Sequence, residues 1–239
     1  MSSGFPTFSA VIPAFNEAGR ITRAVLDTKR VLGNEAPIIV VDDGSVDSTA
    51  DEARVAGATV IRHAINRGKG AAVRTGALAS TSEWILVLDA DLSTQPSELE
   101  RFRNAFDESD IIFGSRRISG ASIIKQQPWY RVKAGQLFNW MMRATSGLPY
   151  HDTQCGFKAY RMSACRPLFE LQVTDGWSFD AELLMRAKQA GLRLAERAVV
   201  WSHAAGSKVR ITDAPVILFD LWRLRRVIPE CSLDATPKN

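Results

Sequence analysis

The sequence has few cysteines and no long hydrophobic run. Three cysteines occur among 239 residues, and no two of them have CxxC spacing. That pattern argues against a disulfide framework or a cysteine zinc site and suits a reducing compartment. No apolar stretch approaches the roughly 18 residues that can span a bilayer, and no N-terminal signal segment is visible. We therefore expect no transmembrane span and a cytoplasmic location, with the protein either free or peripheral on the cytoplasmic face of a membrane.

Charge is distributed unevenly along the chain. Residues 1–110 contain 11 Lys/Arg and 16 Asp/Glu, a net charge of −5, whereas residues 111–239 contain 19 and 10, a net charge of +9. The acidic half suits a metal site, and the basic half suits an anionic partner such as phosphate, an acidic membrane surface or nucleic acid. A well-solvated surface explains part of the excess, so charge alone does not choose among these partners.

Apolar segments typical of strands alternate with segments typical of helices. The repeated βαβ order predicts a doubly wound, mostly parallel α/β sheet with helices on both faces, in a single domain over residues 1–239. The predicted strands are residues 8–12, 37–41, 59–62, 84–88, 111–113, 157–160 and 194–200. The predicted helices are residues 17–32, 48–56, 70–79, 96–106, 131–145, 179–190 and 215–228.

Two carboxylates, Asp89 and Asp91, directly follow the apolar segment 84–88. Beyond the end of a strand, side chains two positions apart can point the same way, and close like charges require a cation between them. A hard divalent ion that also holds a diphosphate fits this need. The alternative is that Asp91 or a neighbour caps the helix that begins near Pro96. The pair lies where ligands bind in open α/β sheets, which favours the metal.

Two further loops are predicted at the same edge of the sheet. Pro13 is expected to end the first strand and Asn16 to cap the next helix, unless this loop forms a rigid floor under a nucleotide. After the second strand, Asp42 or Asp43 can accept hydrogen bonds from a ribose hydroxyl or a base N–H.

Cationic residues follow two other predicted strands. Gly68 and Lys69 precede a helix, and glycine-rich backbone at a helix N-terminus favours phosphate, although the spacing is neither a P-loop nor a dinucleotide fingerprint and an ordinary loop is an equal alternative. Arg116 and Arg131 offer planar donors suited to a second phosphate group, although each alone is typical of a surface residue.

The remaining polar positions have simpler interpretations. Asp180 and Glu182 are expected to cap a helix start, and the three histidines share no metal spacing and are expected to be structural. The last helix has an apolar stripe, arginines and two large aromatic residues. It either packs on the sheet or lies in a membrane interface, and both hold if only its charged edge meets lipid headgroups.

In this order, the segments resemble glycosyltransferase family 2, whose members have the GT-A fold, over about residues 6–226. The segments FNE at 15–17, VDDGS at 41–45, GKG at 68–70 and DAD at 89–91 are similar to the nucleotide-sugar motifs of that family. The segments DTQCGFK at 152–158, WSFDAEL at 177–183 and GSK at 206–208 are similar to those of the dolichyl-phosphate β-glucosyltransferases. This chain carries Leu92-Ser93-Thr94 where many relatives have Gly-Ala-Thr.

The resemblance implies an inverting transfer from a UDP-sugar, with UDP-glucose favoured, to a polyprenyl or dolichyl phosphate at a membrane surface. It implies no nucleic-acid partner and allows a membrane-anchored partner subunit. Residues 1–115 would form the nucleotide-sugar half and residues 116–230 the acceptor half. The cofactor would be Mg²⁺ or Mn²⁺, held by Asp89, Asp91 and Ser93. The implied catalytic residues are Asp89, Asp91, Arg116, Arg131 and Asp152, and the implied donor and phosphate contacts are Pro13, Phe15, Glu17, Asp42, Asp43, Gly68, Lys69, Ser207 and Lys208.

A phosphate acceptor is already anionic near neutral pH and needs little help from a base. The alternative is a soluble family 2 enzyme that acts on a non-lipid hydroxyl acceptor, for which Asp152 or Asp180 would be the candidate base.

Overall fold

The computed structural model describes residues 6–125, 139–203 and 214–228. Three of the predicted site residues, Arg131, Ser207 and Lys208, lie outside these ranges, as does the beginning of the predicted helix 131–145. The other predicted site residues lie within the described part of the chain.

A seven-stranded sheet forms the centre of the molecule, with the strand order β3-β2-β1-β4-β7-β5-β8. The pairs β1–β2, β1–β4, β2–β3 and β5–β8 are parallel, whereas β7 is antiparallel to both of its neighbours. The prediction of a mostly parallel sheet is therefore confirmed. The strands are β1 (Phe8–Ala14), β2 (Ile38–Asp42), β3 (Thr59–Arg62), β4 (Trp84–Val87), β5 (Ile111–Ser115), β6 (Ser122–Lys125), β7 (Lys158–Arg161), β8 (Leu194–Ala198) and β9 (Val200–Ser202).

Helices cover both faces of this sheet, as predicted. Along β4, Trp84 and Leu86 belong to one core cluster, and Ile85 and Val87 belong to the other, because successive strand residues point to opposite faces. The first cluster includes residues of α1, α2 and a 3-10 helix, and the second includes residues of α3 to α7. The helices are α1 (Ile21–Leu32), α2 (Thr49–Val55), α3 (Lys69–Ala79), the 3-10 helix (Pro96–Ala105), α4 (described over residues 139–146), α5 (Met162–Glu170), α6 (Phe179–Gln189) and α7 (Ala214–Val227).

Pro13 does not end the first strand, which continues to Ala14. On the β2 side of β1, the N–H of Ala10 and the carbonyl of Ala14 form backbone hydrogen bonds. On the β4 side, the carbonyl of Val11 accepts a hydrogen bond from the N–H of Leu88. Pro13 shares the side of Val11 but lies beyond the last residue pair with β4. Its missing N–H therefore costs no hydrogen bond of the ladder.

Asn16 does not cap the following helix, which begins at Ile21 rather than at residue 17. The carbonyl of Glu17 instead accepts hydrogen bonds from the N–H groups of Arg20 and Ile21 and so forms a turn before the helix. Asn16 has a positive φ of 50° and its Oδ1 accepts from the N–H of Val46. The side chain therefore joins two loops at the edge of the sheet.

Four other elements differ from their predictions, one of them the strand β6, where no strand is predicted. Residues 96–105 form a 3-10 helix, and the predicted strand 194–200 is divided into β8 and β9, of which β9 pairs with β6 in a separate two-stranded sheet. Helix α5 lies where no helix is predicted, because Pro167 occurs inside it and proline usually marks the end of a helical pattern. Among the described residues, we find no helix with both the length and the hydropathy needed to cross a bilayer.

Candidate active site

Parallel strands bring the predicted site residues to one edge of the sheet. Asp42 ends β2, Asp89 follows β4 and Arg116 follows β5, and these three strands run in the same direction. The carboxyl ends of parallel strands lie at a common edge, which is where ligands bind in open α/β folds. Positions that are far apart in sequence thus converge on one cleft edge.

Asp43 is buried and fixes the loop that leads into α3. Its carboxylate accepts hydrogen bonds from Nδ1 of His63 at 2.7 Å, from the N–H of Arg67 at 2.9 Å and from the N–H of Gly68 at 2.7 Å. Gly68 has a φ of 107° and packs on the carbonyl of Asp175, so a side chain does not fit there. His63 thus supports the loop that the glycine motif predicts.

Asp42 is also buried and is bonded within the protein. One oxygen accepts from the N–H of Ser45 at 2.9 Å, and the other forms an ion pair with Nε of Arg62 at 3.1 Å. The contact with Arg62 is too poorly aligned to be a hydrogen bond, so within the described ranges Oδ2 of Asp42 has no hydrogen-bond donor. The role of Asp42 and Asp43 in holding a nucleoside remains a prediction. In the structure, both carboxylates bond to groups of the protein and order the loops that follow β2 and β3.

The loop after β1 is tied to the loop after β2. The N–H of Asn16 donates to Oγ of Ser45 at 2.8 Å, and the N–H of Glu17 donates to Oγ1 of Thr49 at 2.8 Å. Pro13 and Phe15 are half-buried at this end of β1. These three predicted donor contacts, Pro13, Phe15 and Glu17, therefore lie together on the same edge as Asp42.

Lys69 and Asp89 form a close ion pair. The Nζ atom of Lys69, in the first turn of α3, lies 2.5 Å from Oδ1 of Asp89 and 5.7 Å from the centre of the Trp177 ring. Burial works against the charge of each partner. The attraction between them nevertheless raises the pKa of Lys69 and lowers that of Asp89, with Asp180 adding to the first effect and Lys158 and Arg116 to the second. A cation therefore already neutralises the first acid of the pair.

Asp91 and Ser93 lie in a loop that the second sheet holds in place. Oδ1 of Asp91 accepts a hydrogen bond from the N–H of Ser93 at 2.9 Å, and the carbonyl of Ser93 accepts from the N–H of Ser202 in β9 at 2.8 Å. Leu92 between them has a φ of 51°. Non-glycine residues seldom adopt a positive φ, so the two hydrogen bonds of Ser93 hold the loop in this conformation.

This donor set fits a hard divalent ion. Asp89 and Asp91 are half-buried, and carboxylate and hydroxyl oxygens are the ligands that Mg²⁺ and Mn²⁺ prefer. Over the described ranges, no group of three or more His, Cys, Asp or Glu side chains is placed to hold a metal by itself. A site with one or two carboxylates leaves coordination positions for phosphate oxygens, as is usual for Mg²⁺.

Arg116 is held by Asp152. Its Nε and Nη2 donate to the two oxygens of Asp152 at 2.6 and 2.8 Å, and its backbone N–H donates to Oδ2 at 3.0 Å. Burial alone would raise the pKa of the Asp152 carboxyl, but Arg116 holds it below its usual range. The Asp152 side chain is fully buried and both of its oxygens accept from Arg116, and its role as a base for a hydroxyl acceptor stays a prediction.

Trp201 and Glu196 complete the surroundings of Arg116. The guanidinium of Arg116 lies 5.7 Å from the Trp201 ring centre, and Trp201 forms an isolated bridge with Thr94 in the loop after β4. The N–H of Asp152 donates to Oε1 of Glu196 at 2.9 Å. The cation after β5 is thus connected to the loop after β4 through one aromatic residue.

Asp180 and Glu182 are not helix caps, contrary to the prediction. Asp180 forms a buried ion pair with Nζ of Lys158 at 2.6 Å, and burial raises its pKa in spite of Lys158 and Lys69. Glu182 accepts hydrogen bonds from the N–H groups of Val173 and Thr174 at 2.9 and 2.8 Å. The first turn of α6 is buried, so its carboxylates need partners inside the protein rather than at a solvated helix end.

The sequence motifs do not identify Gly156 and Lys158 as individual site residues. Gly156 packs directly on the carboxylate of Asp89, where a Cβ atom would collide with it. Lys158 follows Phe157 at the start of β7 and is 1% exposed. A lysine within an apolar strand requires a buried anion, and that signal is present in the sequence even though it does not identify Asp180 as the partner.

Curated proteins similar to this chain share one description. A dolichyl-phosphate β-glucosyltransferase of Trichomonas vaginalis is 34% identical over 243 residues, which cover 93% of this chain and 71% of that protein. The dolichyl-phosphate β-glucosyltransferase of Homo sapiens is 31% identical over 228 residues, which cover 84% of this chain and 69% of that protein.

Solved structures share the fold at lower identity. Glucosyl-3-phosphoglycerate synthase from Mycobacterium tuberculosis, in complex with phosphoglyceric acid, superimposes with a TM-score of 0.69 at 20% identity, covering 94% of this chain and 81% of that one. Its complex with Mn²⁺, UDP and phosphoglyceric acid gives 0.69 at 19%, with 94% and 80% covered. The sequence model of glycosyl transferase family 2 matches residues 9–169. The chain therefore belongs to glycosyl transferase family 2 and is a glycosyltransferase.

Proposed function

We propose that the protein transfers glucose from UDP-glucose to a dolichyl or polyprenyl phosphate at a membrane surface, with inversion at the anomeric carbon and with Mg²⁺ or Mn²⁺. The observation that carries this proposal is the convergence of Asp89 and Asp91 with two cations, Lys69 and Arg116, at one sheet edge. Such a site suits a reaction in which both the leaving group and the attacking group are phosphates. Relatives described as dolichyl-phosphate β-glucosyltransferases support this acceptor and sugar.

The donor side is assigned to the edge formed by β1, β2 and β4. Asp42 and Asp43 order the loops around the nucleoside, and Lys69 lies next to the diphosphate. Asp89, Asp91 and Ser93 would hold the metal ion, whose chemical contribution is to neutralise charge on the departing UDP. Neighbours of the same fold were solved with Mn²⁺ and UDP-glucose, which supports both choices.

The acceptor side is assigned to residues beyond 115. Arg116 presents a guanidinium that Asp152 holds in a fixed orientation, and a planar guanidinium binds a phosphate group through two donors. Since a phosphate monoester has a second pKa of about 6, the attacking oxygen needs no general base. Positioning by Arg116 therefore accounts for catalysis on this side, and Asp152 acts as a positioning residue. Arg131, Ser207 and Lys208 remain predicted phosphate contacts.

A panel of donors and acceptors tests the proposal. The protein with Mg²⁺ or Mn²⁺ is mixed with UDP-glucose, UDP-galactose or GDP-mannose, each with a short polyprenyl phosphate in detergent or with phosphoglycerate. We expect a glucosyl phospholipid from UDP-glucose only, and loss of that product in Asp89→Asn and with a chelator. Arg54→Gln, in an exposed ion pair with Asp51 on α2, serves as the matched control.

Two outcomes would contradict the proposal. A product on phosphoglycerate without any glycolipid would assign the protein to the alternative, a family 2 enzyme with a soluble hydroxyl acceptor. Full activity of Asp89→Asn would remove the metal assignment.

A further inference from the structure

Helix α7 has two apolar surfaces, of which only one faces the core. Ile217, Leu221, Leu224 and Ile228 are buried in the cluster beneath the helix. On the opposite side, Phe219 is 59% exposed and Trp222 is 48% exposed. Exposed aromatic residues on a helix that already has a complete core-facing stripe need a separate explanation.

The exposed aromatic residues form one cluster with arginine. The rings of Phe219 and Trp222 lie 5.8 Å apart, and the guanidinium of Arg226 lies 3.7 Å from the centre of the Trp222 ring. Arg223 is exposed on the same side, since it lies four positions after Phe219. We call Phe219, Trp222, Arg223 and Arg226 the outer face of α7.

The charged side chains of the outer face are all cationic. Asp220 is the single acidic residue between Ala214 and Val227, and its carboxylate accepts a hydrogen bond from Oγ of Ser178 at 2.9 Å. It is therefore directed toward α6 and does not neutralise the arginines. A surface with aromatic rings, arginines and no carboxylate complements an anionic lipid headgroup layer, because the rings favour the interface and the guanidinium groups favour phosphate.

The outer face lies on a helix that adjoins the candidate active site. Ser178, the partner of Asp220, is next in sequence to Trp177, whose ring lies over Lys69. A second exposed apolar pair, Ile123 and Ile124, occurs in β6, which pairs with the β9 strand that holds the loop after Asp91. Two exposed apolar segments are thus connected directly to the elements that form the site.

We infer that the outer face of α7 docks the protein on an anionic bilayer, with the aromatic rings in the headgroup region and the arginines on lipid phosphates. The inference rests on the proposed function in one respect, because a lipid phosphate acceptor can reach the site only if the site is next to the bilayer. The docking itself requires no substrate and can be measured separately.

Sedimentation with vesicles tests the docking. Vesicles of phosphatidylcholine alone are compared with vesicles that contain phosphatidylglycerol as a minor component, at low and high salt. We expect the protein to sediment with the anionic vesicles at low salt and to be released by high salt, because exposed charges are screened. Arg223→Gln with Arg226→Gln should weaken partitioning by roughly 25-fold, about fivefold for each arginine.

Matched variants separate this surface from general charge and hydrophobicity. Phe219→Ser with Trp222→Ser should abolish vesicle binding, whereas Val31→Ser with Val55→Ser, which removes two exposed valines from α1 and α2, should not. Arg23→Gln with Arg30→Gln makes the same change in net charge on α1 and should not release the protein. Transfer to a short polyprenyl phosphate in detergent should be unchanged in all four variants.

Three results would overturn the inference. The first is that the wild-type protein stays in solution with anionic vesicles. The second is that Phe219→Ser with Trp222→Ser sediments as well as the wild-type protein. In the third case, analytical ultracentrifugation would show a dimer that this variant dissociates, so that a second copy covers the face. Failure of transfer in detergent, with vesicle binding intact, would count against the proposed function and leave the docking in place.

Discussion

Gly156 lies against the carboxylate of Asp89, the first of the two acids that follow β4. Its α-carbon is so close to the Asp89 carboxylate that a methyl group cannot be added without displacing the carboxylate. We expect Gly156→Ala to fold and to lose about 100-fold in glucosyl transfer, because a displacement on the scale of 1 Å is sufficient for such a loss. The measurement is kcat/KM together with the affinity for Mn²⁺ in the presence of UDP.

Gly176→Ala is the matched control for this prediction. A Cβ atom at Gly176 would have no neighbour within 4 Å, and the residue lies in the loop before α6, next to Trp177. Equal activity of Gly156→Ala and Gly176→Ala would show that the contact with Asp89 does not determine the geometry of the site.

The contribution of Asp152 to the stability of the protein depends on pH in a defined way. Its pKa is held below the ordinary value of 3.8 by Arg116, so its contribution to stability is present above that value and is lost as pH falls through the depressed pKa. Asp152→Asn leaves Arg116 without its buried partner and should cost about 3–5 kcal/mol at pH 7. Urea denaturation should show this difference at pH 7 and a smaller one below about pH 3.

Asp27→Asn is the control for the effect of Asp152→Asn. Asp27 pairs with Arg23 and Arg30, whose side chains are exposed, and such pairs contribute less than about 1 kcal/mol. A loss of similar size for the two variants would contradict the role of Asp152 as the buried support of Arg116.

Strand β7 lies between the strands that precede Asp89 and Arg116. It runs antiparallel between β4 and β5, so that Gly156 before it meets Asp89 and Lys158 within it meets Asp180 at the start of α6. We expect Lys158→Met to destabilise the fold by about 3–5 kcal/mol, because the buried Asp180 loses its partner. Urea denaturation measures this loss.

The double variant tests whether the ion pair or the packing is responsible. Lys158→Met with Asp180→Leu removes both charges and should regain most of the lost stability, since a buried pair is often replaceable by apolar residues. A double variant as unstable as Lys158→Met alone would mean that the pairing of β7 with α6 does not depend on this charge balance.

Sequence patterns predict elements better than they predict contacts between them. The alternation of apolar strands and helices identifies most of the parallel sheet, since central strands such as β2 and β4 are buried on both faces and form continuous apolar segments. The antiparallel insertion of β7 and the division of β8 from β9 depend on long-range pairing, which has no local signal. For the same reason Asp180 resembles a helix cap until its partner Lys158 is placed beside it.

Across the whole molecule, the carboxyl edge of the sheet brings together residues that the motifs predict for the site. The motifs predict Asp89, Asp91, Lys69 and Arg116 as site residues, and the strand order places Asp89, Lys69 and Arg116 close enough to influence one another electrostatically. Sequence alone does not predict that Lys69 already neutralises Asp89 or that Asp152 supports Arg116. Both features follow from burial, because charges removed from water must be paired.

In the proposed mechanism, Asp89 and Asp91 hold a divalent ion and, through it, the diphosphate of the donor. Calorimetric titration with UDP tests this most directly, in Mn²⁺ and again in a chelator, for the wild-type protein and for Asp91→Asn. We predict UDP binding in Mn²⁺ that weakens at least about tenfold when the ion is removed or when Asp91 is replaced, a change of about 1.4 kcal/mol. UDP binding of equal affinity in all of these conditions would mean that the two acids hold no metal ion on the diphosphate.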